Sequence, residues 1–252
     1  MRPELDRTFG LWARCTHAIR CCPRKTDRFD EERPLPQAIV IAVALGFAIL
    51  GAAAERLASV WPADEASRRS PGLRTLLLAL GAGAAGGAVA WRSELPAWAT
   101  AVYLGLLAIM LLLTATDLEQ RRLPHLLLDP LIGASLLFVP FNPSLPALSA
   151  IGGAVAAIAF LGLLGLLVRN GLALGDLYLV TPIGLLLGWP SVFAALFAAA
   201  LLAAAASVAL LVSRRVGMKS YIPFGPFLVA GAVLALLTDP HLLGRAAALG
   251  GL

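Results

Sequence analysis

Two aspartates stand out in a chain with few charges. Asp117 ends an almost unbroken apolar run in the stretch TATDLEQRRLPHLLLD, and Asp176 opens another in NGLALGDLYLVTPIGLLLGW. Desolvating a carboxylate is costly, so ionisable groups in or at the edge of membrane helices are rare and each is a functional candidate by default. Two carboxylates brought into one partly dry site cannot easily both ionise. One keeps a proton while the other acts as general base on a water. Such a pair hydrolyses a peptide bond without a metal or a covalent intermediate. Simpler roles compete: Asp117 as a solvated carboxylate where a helix leaves the bilayer, Asp176 as an N-cap favoured by the helix dipole. The flanking residues favour the chemistry. Pro124, seven residues after Asp117, is a rigid stop expected to hold the loop against the next helix. Gly175 directly precedes Asp176, where a missing side chain lets another backbone come close.

The elements that must position these groups follow from composition. Of 252 residues, 59% are hydrophobic and 14% charged, with a mean hydropathy of +0.83. A soluble domain carries about 25% charged residues, so part of the solvent here is lipid. The expected fold class is all-α, a polytopic membrane helical bundle. Barrel strands alternate polar and apolar residues, whereas these runs are continuously apolar. The runs fall near 36–54, 73–91, 97–116, 126–141, 147–168, 174–189, 190–212 and 222–238. That predicts eight transmembrane helices, the fourth and sixth short, with the boundary at 190 the least defined. Pro130, Pro182 and Pro190 are expected to kink or end helices, and tracts such as GAGAAGGAVA allow close helix approach. The domain reading is a basic tail over 1–34, a membrane-embedded domain over 35–240 and a short tail over 241–252. Residues 1–34 contain no apolar run of the signal-peptide kind.

Basic residues set the orientation. The loops after the first, third, fifth and seventh runs hold ten (Arg56, Arg68, Arg69, Arg74, Arg121, Arg122, Arg169, Arg214, Arg215 and Lys219), while the opposite loops hold only Arg92 and Arg245. The Asp117 loop is therefore expected in the cytoplasm. Eight spans then place the N-terminal tail outside although it carries eight Lys and Arg. Either the first run does not span as drawn, or later helices override the tail, or the true start lies downstream.

Four motifs in this order carry a family resemblance: DLEQRRLP at 117–124, GDLYL at 175–179, LLLGWP at 185–190 and IPFGPF at 222–227. The chain resembles the bacterial type IV prepilin peptidases, intramembrane aspartyl proteases of the GxGD kind. The resemblance implies that Asp117 and Asp176 are catalytic, that Gly175 is the glycine before the second aspartate, and that Ala173, Glu119 and Pro124 support the site. It implies an aspartic endopeptidase of the bacterial inner membrane with a cytoplasm-facing active site. Its partners would be prepilin or pseudopilin substrates and the lipid bilayer; no nucleic acid and no cofactor are called for. The substrate's short basic leader would be cut off after a glycine, in the service of a type IV pilus or protein secretion.

The chain departs from the family pattern at three places. Ala173 stands at the first glycine of GxGD, and His125 follows the LP where many members carry an acidic residue or Asn. Loop 55–74 has no cysteine, whereas many members have two Cys-x-x-Cys pairs there, associated with N-methylation of the new pilin terminus. That second activity does not follow from this sequence. Cys15, His17, Cys21 and Cys22 in the tail lack paired zinc spacing, so no metal site is expected. No HExxH or GxSG nucleophile motif occurs, and the PAL at 146–148 precedes the GD motif instead of following it as in presenilin-like proteases. Two rival readings are a transporter using Asp117 and Asp176 as proton or cation sites and an inactive homologue.

Overall fold

The computed structural model describes residues 35–61, 72–121, 123–167, 174–213 and 223–244. Every regular element among them is helical: α1 (Gln37–Ala58), α2 (Leu73–Arg92), α3 (Ala97–Gln120), α4 (His125–Phe138), α5 (Ala147–Leu167), α6 (Leu174–Leu187), α7 (Ser191–Val212), α8 (Gly225–Thr238) and the one-turn α9 (Pro240–Leu243). A 3-10 turn at Val139–Phe141 continues α4. Each of the eight expected runs overlaps one helix. Five of them (α1, α2, α3, α5 and α7) are long and apolar enough to cross a membrane, and α4, α6 and α8 are shorter. The short fourth and sixth match expectation; the eighth, at 14 residues, is equally short. Fourteen residues rise about 21 Å against a hydrocarbon layer of about 30 Å.

Local chemistry explains the boundaries and corrects several of them. α3 does not end at Asp117 but runs on to Gln120, so Asp117 and Glu119 both lie within its last turns and not in a loop. Arg121 then turns left-handed at φ 52, donating its N–H to the Asp117 carbonyl at 2.9 Å. Pro130 and Pro182 sit inside α4 and α6 without ending them, which packed neighbours make tolerable in a membrane helix. At the 190 boundary α6 stops at Leu187 and α7 starts at Ser191. Between them Gly188 takes φ +67 and donates to the Gly184 carbonyl at 2.8 Å, a helix ending that glycine adopts at least cost.

Contacts at the two ends fix the helix directions. At one end Arg74 of α2 meets Glu119 of α3 at 2.9 Å, and Thr75 of α2 donates to Glu55 of α1 at 3.0 Å. At the other end the N–H of Glu94 donates to the Leu243 carbonyl at 2.8 Å, and that of Trp189 to the Ser149 carbonyl at 2.9 Å. Successive helices therefore alternate in direction. α3 is the central one: 56% of its span is buried, against 11–28% in the other four long helices. Ile41, Ile49, Leu148, Leu166 and Val212 face outward while Asp117 and Asp176 are buried. This inversion of the soluble pattern is that of a polytopic membrane bundle.

Small residues set the close helix pairs. A Cβ on Gly184 of α6 would lie 2.5 Å from the Ala154 Cα of α5, whereas one on Gly162 would meet nothing within 4 Å. Gly184→Leu should therefore destabilise the bundle by about 1–3 kcal/mol, the usual cost of overpacking. Gly162→Leu should be neutral. Thermal melting of the two variants in detergent checks this, and equal melting temperatures would contradict the backbone contact.

Candidate active site

The site forms where the end of α3 meets the starts of α6 and α8. The hydroxyls of the Thr-Ala-Thr that precedes Asp117 are satisfied within the helix: Thr114 donates to the Met110 carbonyl and Thr116 to the Leu113 carbonyl, each at 2.9 Å. Such back-bonding removes two polar groups from the apolar layer. Asp117 is the first group in this segment that cannot be neutralised locally, and it is 6% exposed. Asp176, in the first turn of α6, is 3% exposed, and its Oδ2 is shut off from solvent. Among the described residues, Asp176 and Arg121 lie close enough to Asp117 for their charges to act on it. Two residues that stand 59 positions apart in the sequence are thus electrostatic neighbours.

A third element completes the arrangement. The backbone N–H of Gly225, at the first position of α8, donates to Asp117 Oδ2 at 3.1 Å. The first four N–H groups of a helix have no partner within it, and here each is accounted for. Gly225 serves Asp117, Pro226 has none, and Phe227 and Leu228 both turn to the Phe224 carbonyl. The positive end of the helix dipole adds to the attraction. A Cβ on Gly225 would lie 2.6 Å from the same Oδ2, so only glycine lets the carboxylate in. The motif IPFGPF belongs to the sequence reading, but Gly225 as a site residue does not. The available signal was a glycine before a proline at the head of an apolar run, the signature of a helix start.

The supporting residues divide. Where the sequence reading expected a close backbone at Gly175, a Cβ there would instead meet Leu123 Cδ1 at 2.9 Å, the far end of a flexible side chain. Pro124 is the residue from which α4 begins. Glu119 is paired with Arg74 of α2. That pair is half exposed on the arginine side, at 56%, so Arg74→Ala should cost at most about 1 kcal/mol, a small shift in detergent melting. His125 packs edge-on against Tyr178 of α6, with ring centroids 5.3 Å apart, and lies 3.8 Å from Asp129. It ties α4 to the helix of Asp176 while remaining solvent-exposed. Ala173, the tail cysteines and His17 lie outside the described residues. The PAL stretch sits at the start of α5, at the Trp189 end of the bundle and away from the pair.

With this geometry in place, comparison with known proteins shows what the chain is similar to. Residues 104–208, which include both aspartates, match the model of the type IV leader peptidase family. Over that stretch the chain is similar to that family. Among its relatives, the prepilin leader peptidase/N-methyltransferase of Aeromonas salmonicida (strain A449) is 32% identical over 148 residues, covering 56% of this chain and 50% of the relative. The protein of the same name from Burkholderia pseudomallei (strain 1026b) is 33% identical over 175 residues, covering 67% and 56%. The chain thus spans about half the length of the curated relatives it matches. No solved structure matches it.

Proposed function

We propose that the chain is an intramembrane aspartyl endopeptidase that removes leader peptides from type IV prepilins or pseudopilins at the cytoplasmic face of the bacterial inner membrane. One observation carries this reading. Two carboxylates from different helices are buried within electrostatic reach of each other, at the end of the bundle to which the positive-inside rule assigns the cytoplasm. A low-dielectric surround makes simultaneous ionisation costly, so the pair holds one proton between them. The ionised carboxylate draws a proton from a water whose oxygen attacks the scissile carbonyl carbon. The protonated one donates to the departing amine nitrogen as the C–N bond breaks, and the shared proton is restored. Gly225 fixes one carboxylate in place.

A transporter would carry its aspartates near the bilayer midplane; Asp117 lies in the last turn of its helix. The relatives' names include an N-methyltransferase, and no proposal of that activity is made for this chain. The test is direct. Membranes carrying the full chain are incubated with a prepilin whose basic leader ends in glycine, and the new N-terminus is read by mass spectrometry. A cut after that glycine is expected; an uncut prepilin would overturn the reading.

A further inference from the structure

α2 presents two unlike faces. Toward α1 its glycines are filled: a Cβ on Gly83 would lie 3.0 Å from the Ala44 carbonyl oxygen, and one on Gly86 would strike the Phe47 ring. Toward the other side a Cβ on Gly81 would meet nothing within 4 Å. That face opens on a cavity of about 470 Å³ whose remaining walls are α3 and α8. We propose that this groove between α2, α3 and α8 seats the apolar helix that follows the leader in the substrate. The proposal rests on the peptidase reading and adds to it the place where the substrate's membrane segment lies.

Position is the first argument. The groove begins at Thr114, one turn before Asp117, and at Pro226, the neighbour of Gly225. It runs from there along α8 to Leu237 and along α2 from Leu77 to Ala88, about 16 Å at the helical rise. A helix lying in it would have its first turn beside the carboxylate pair.

Charge is the second. Leu77 and Leu78 also line a second cavity, of about 270 Å³, whose walls include Glu55, Glu119 and Arg74. Among the described residues, two carboxylates against one guanidinium make its lining net acidic. The joined surface is therefore acidic at one end and apolar beyond, with the aspartates near the junction. Its complement is a chain that is basic first and apolar afterwards. An anionic phospholipid would fill the apolar part but set its headgroup against Glu55 and Glu119. Shape agrees: a helix is about 10 Å across, so 470 Å³ admits the side chains of one helical face, not a whole helix.

The test uses the full-length protein in membranes, with Cys15, Cys21 and Cys22 changed to serine. A benzophenone is attached at Ala230→Cys, inside the groove, or at Ile49→Cys, on the outward face of α1. The probe is a prepilin with a basic leader and a single apolar helix. Illumination should give about tenfold more prepilin adduct at 230 than at 49, a preference of about 1.4 kcal/mol. Ala84→Phe, which fills the groove from α2, should raise the KM for processing about tenfold with little change in kcat. Equal adduct at the two positions, or adduct at 230 with lipid alone, overturns the proposal. Adduct formation does not require cleavage, so the two readings fail separately. Preferential labelling without cleavage would sink the peptidase reading alone, and cleavage with equal labelling would sink the groove.

Discussion

Asp117→Asn and Asp176→Asn should each abolish prepilin processing, lowering the rate by at least about 10³-fold, while the bundle remains folded. Positioned acid–base groups contribute about 10²–10⁴-fold each, and in the proposed mechanism the acid and the base are one coupled pair. Asparagine keeps the shape of the side chain and removes the shuttled proton. With either aspartate gone, the survivor has no partner with which to share one. The double variant should therefore be no slower than the worse single variant, because residues that act as a unit are strongly non-additive. Stability should not fall with activity. Both groups are buried, and a neutral amide relieves the repulsion between neighbouring carboxylates. Rates measured on the same membrane preparations, beside detergent melting curves, separate the two effects. Wild-type cleavage by either variant would remove that residue from the chemistry.

The candidate pair was legible because membrane sequences make charges conspicuous. Asp117 and Asp176 each interrupt an apolar run, and a carboxylate there needs a reason. The helices were legible for the same cause: each of the eight apolar runs in the sequence overlaps one of the eight main helices among the described residues, some of which run past the expected ends. What the sequence could not carry was depth and partnership. Helix α3 continues beyond Asp117 because Arg121 closes it in a left-handed turn, and nothing in the apolar pattern marks where a polar stretch stops being helical. The Arg74–Glu119 pair joins residues 45 positions apart, a matter of which helix lies beside which. The sequence pattern likewise offers no way to see that Leu123 closes over Gly175.

Gly225 is the clearest case, and it yields the second large expected effect. Gly225→Ala should lower the processing rate about 10²-fold, the scale of loss when a reacting group is misplaced by about 1 Å, with little change in melting temperature. The reason lies in what the new methyl group meets. Its nearest neighbour would be Asp117 Oδ2 at 2.6 Å, and its three nearest are all atoms of the Asp117 side chain. A carboxylate can rotate away where a backbone could not, so the clash is relieved by moving the Asp117 side chain and not the helices. The backbone itself accepts alanine: Gly225 is not among the positive-φ residues, and it lies within α8. The rotated carboxylate also loses the N–H bond at 3.1 Å, which favours its ionised form. Loss of activity with an unchanged melting curve would mark Gly225 as a positioning residue for Asp117. Parallel loss of both would make it a packing glycine like Gly184, and full activity would show that Asp117 works without the α8 amide.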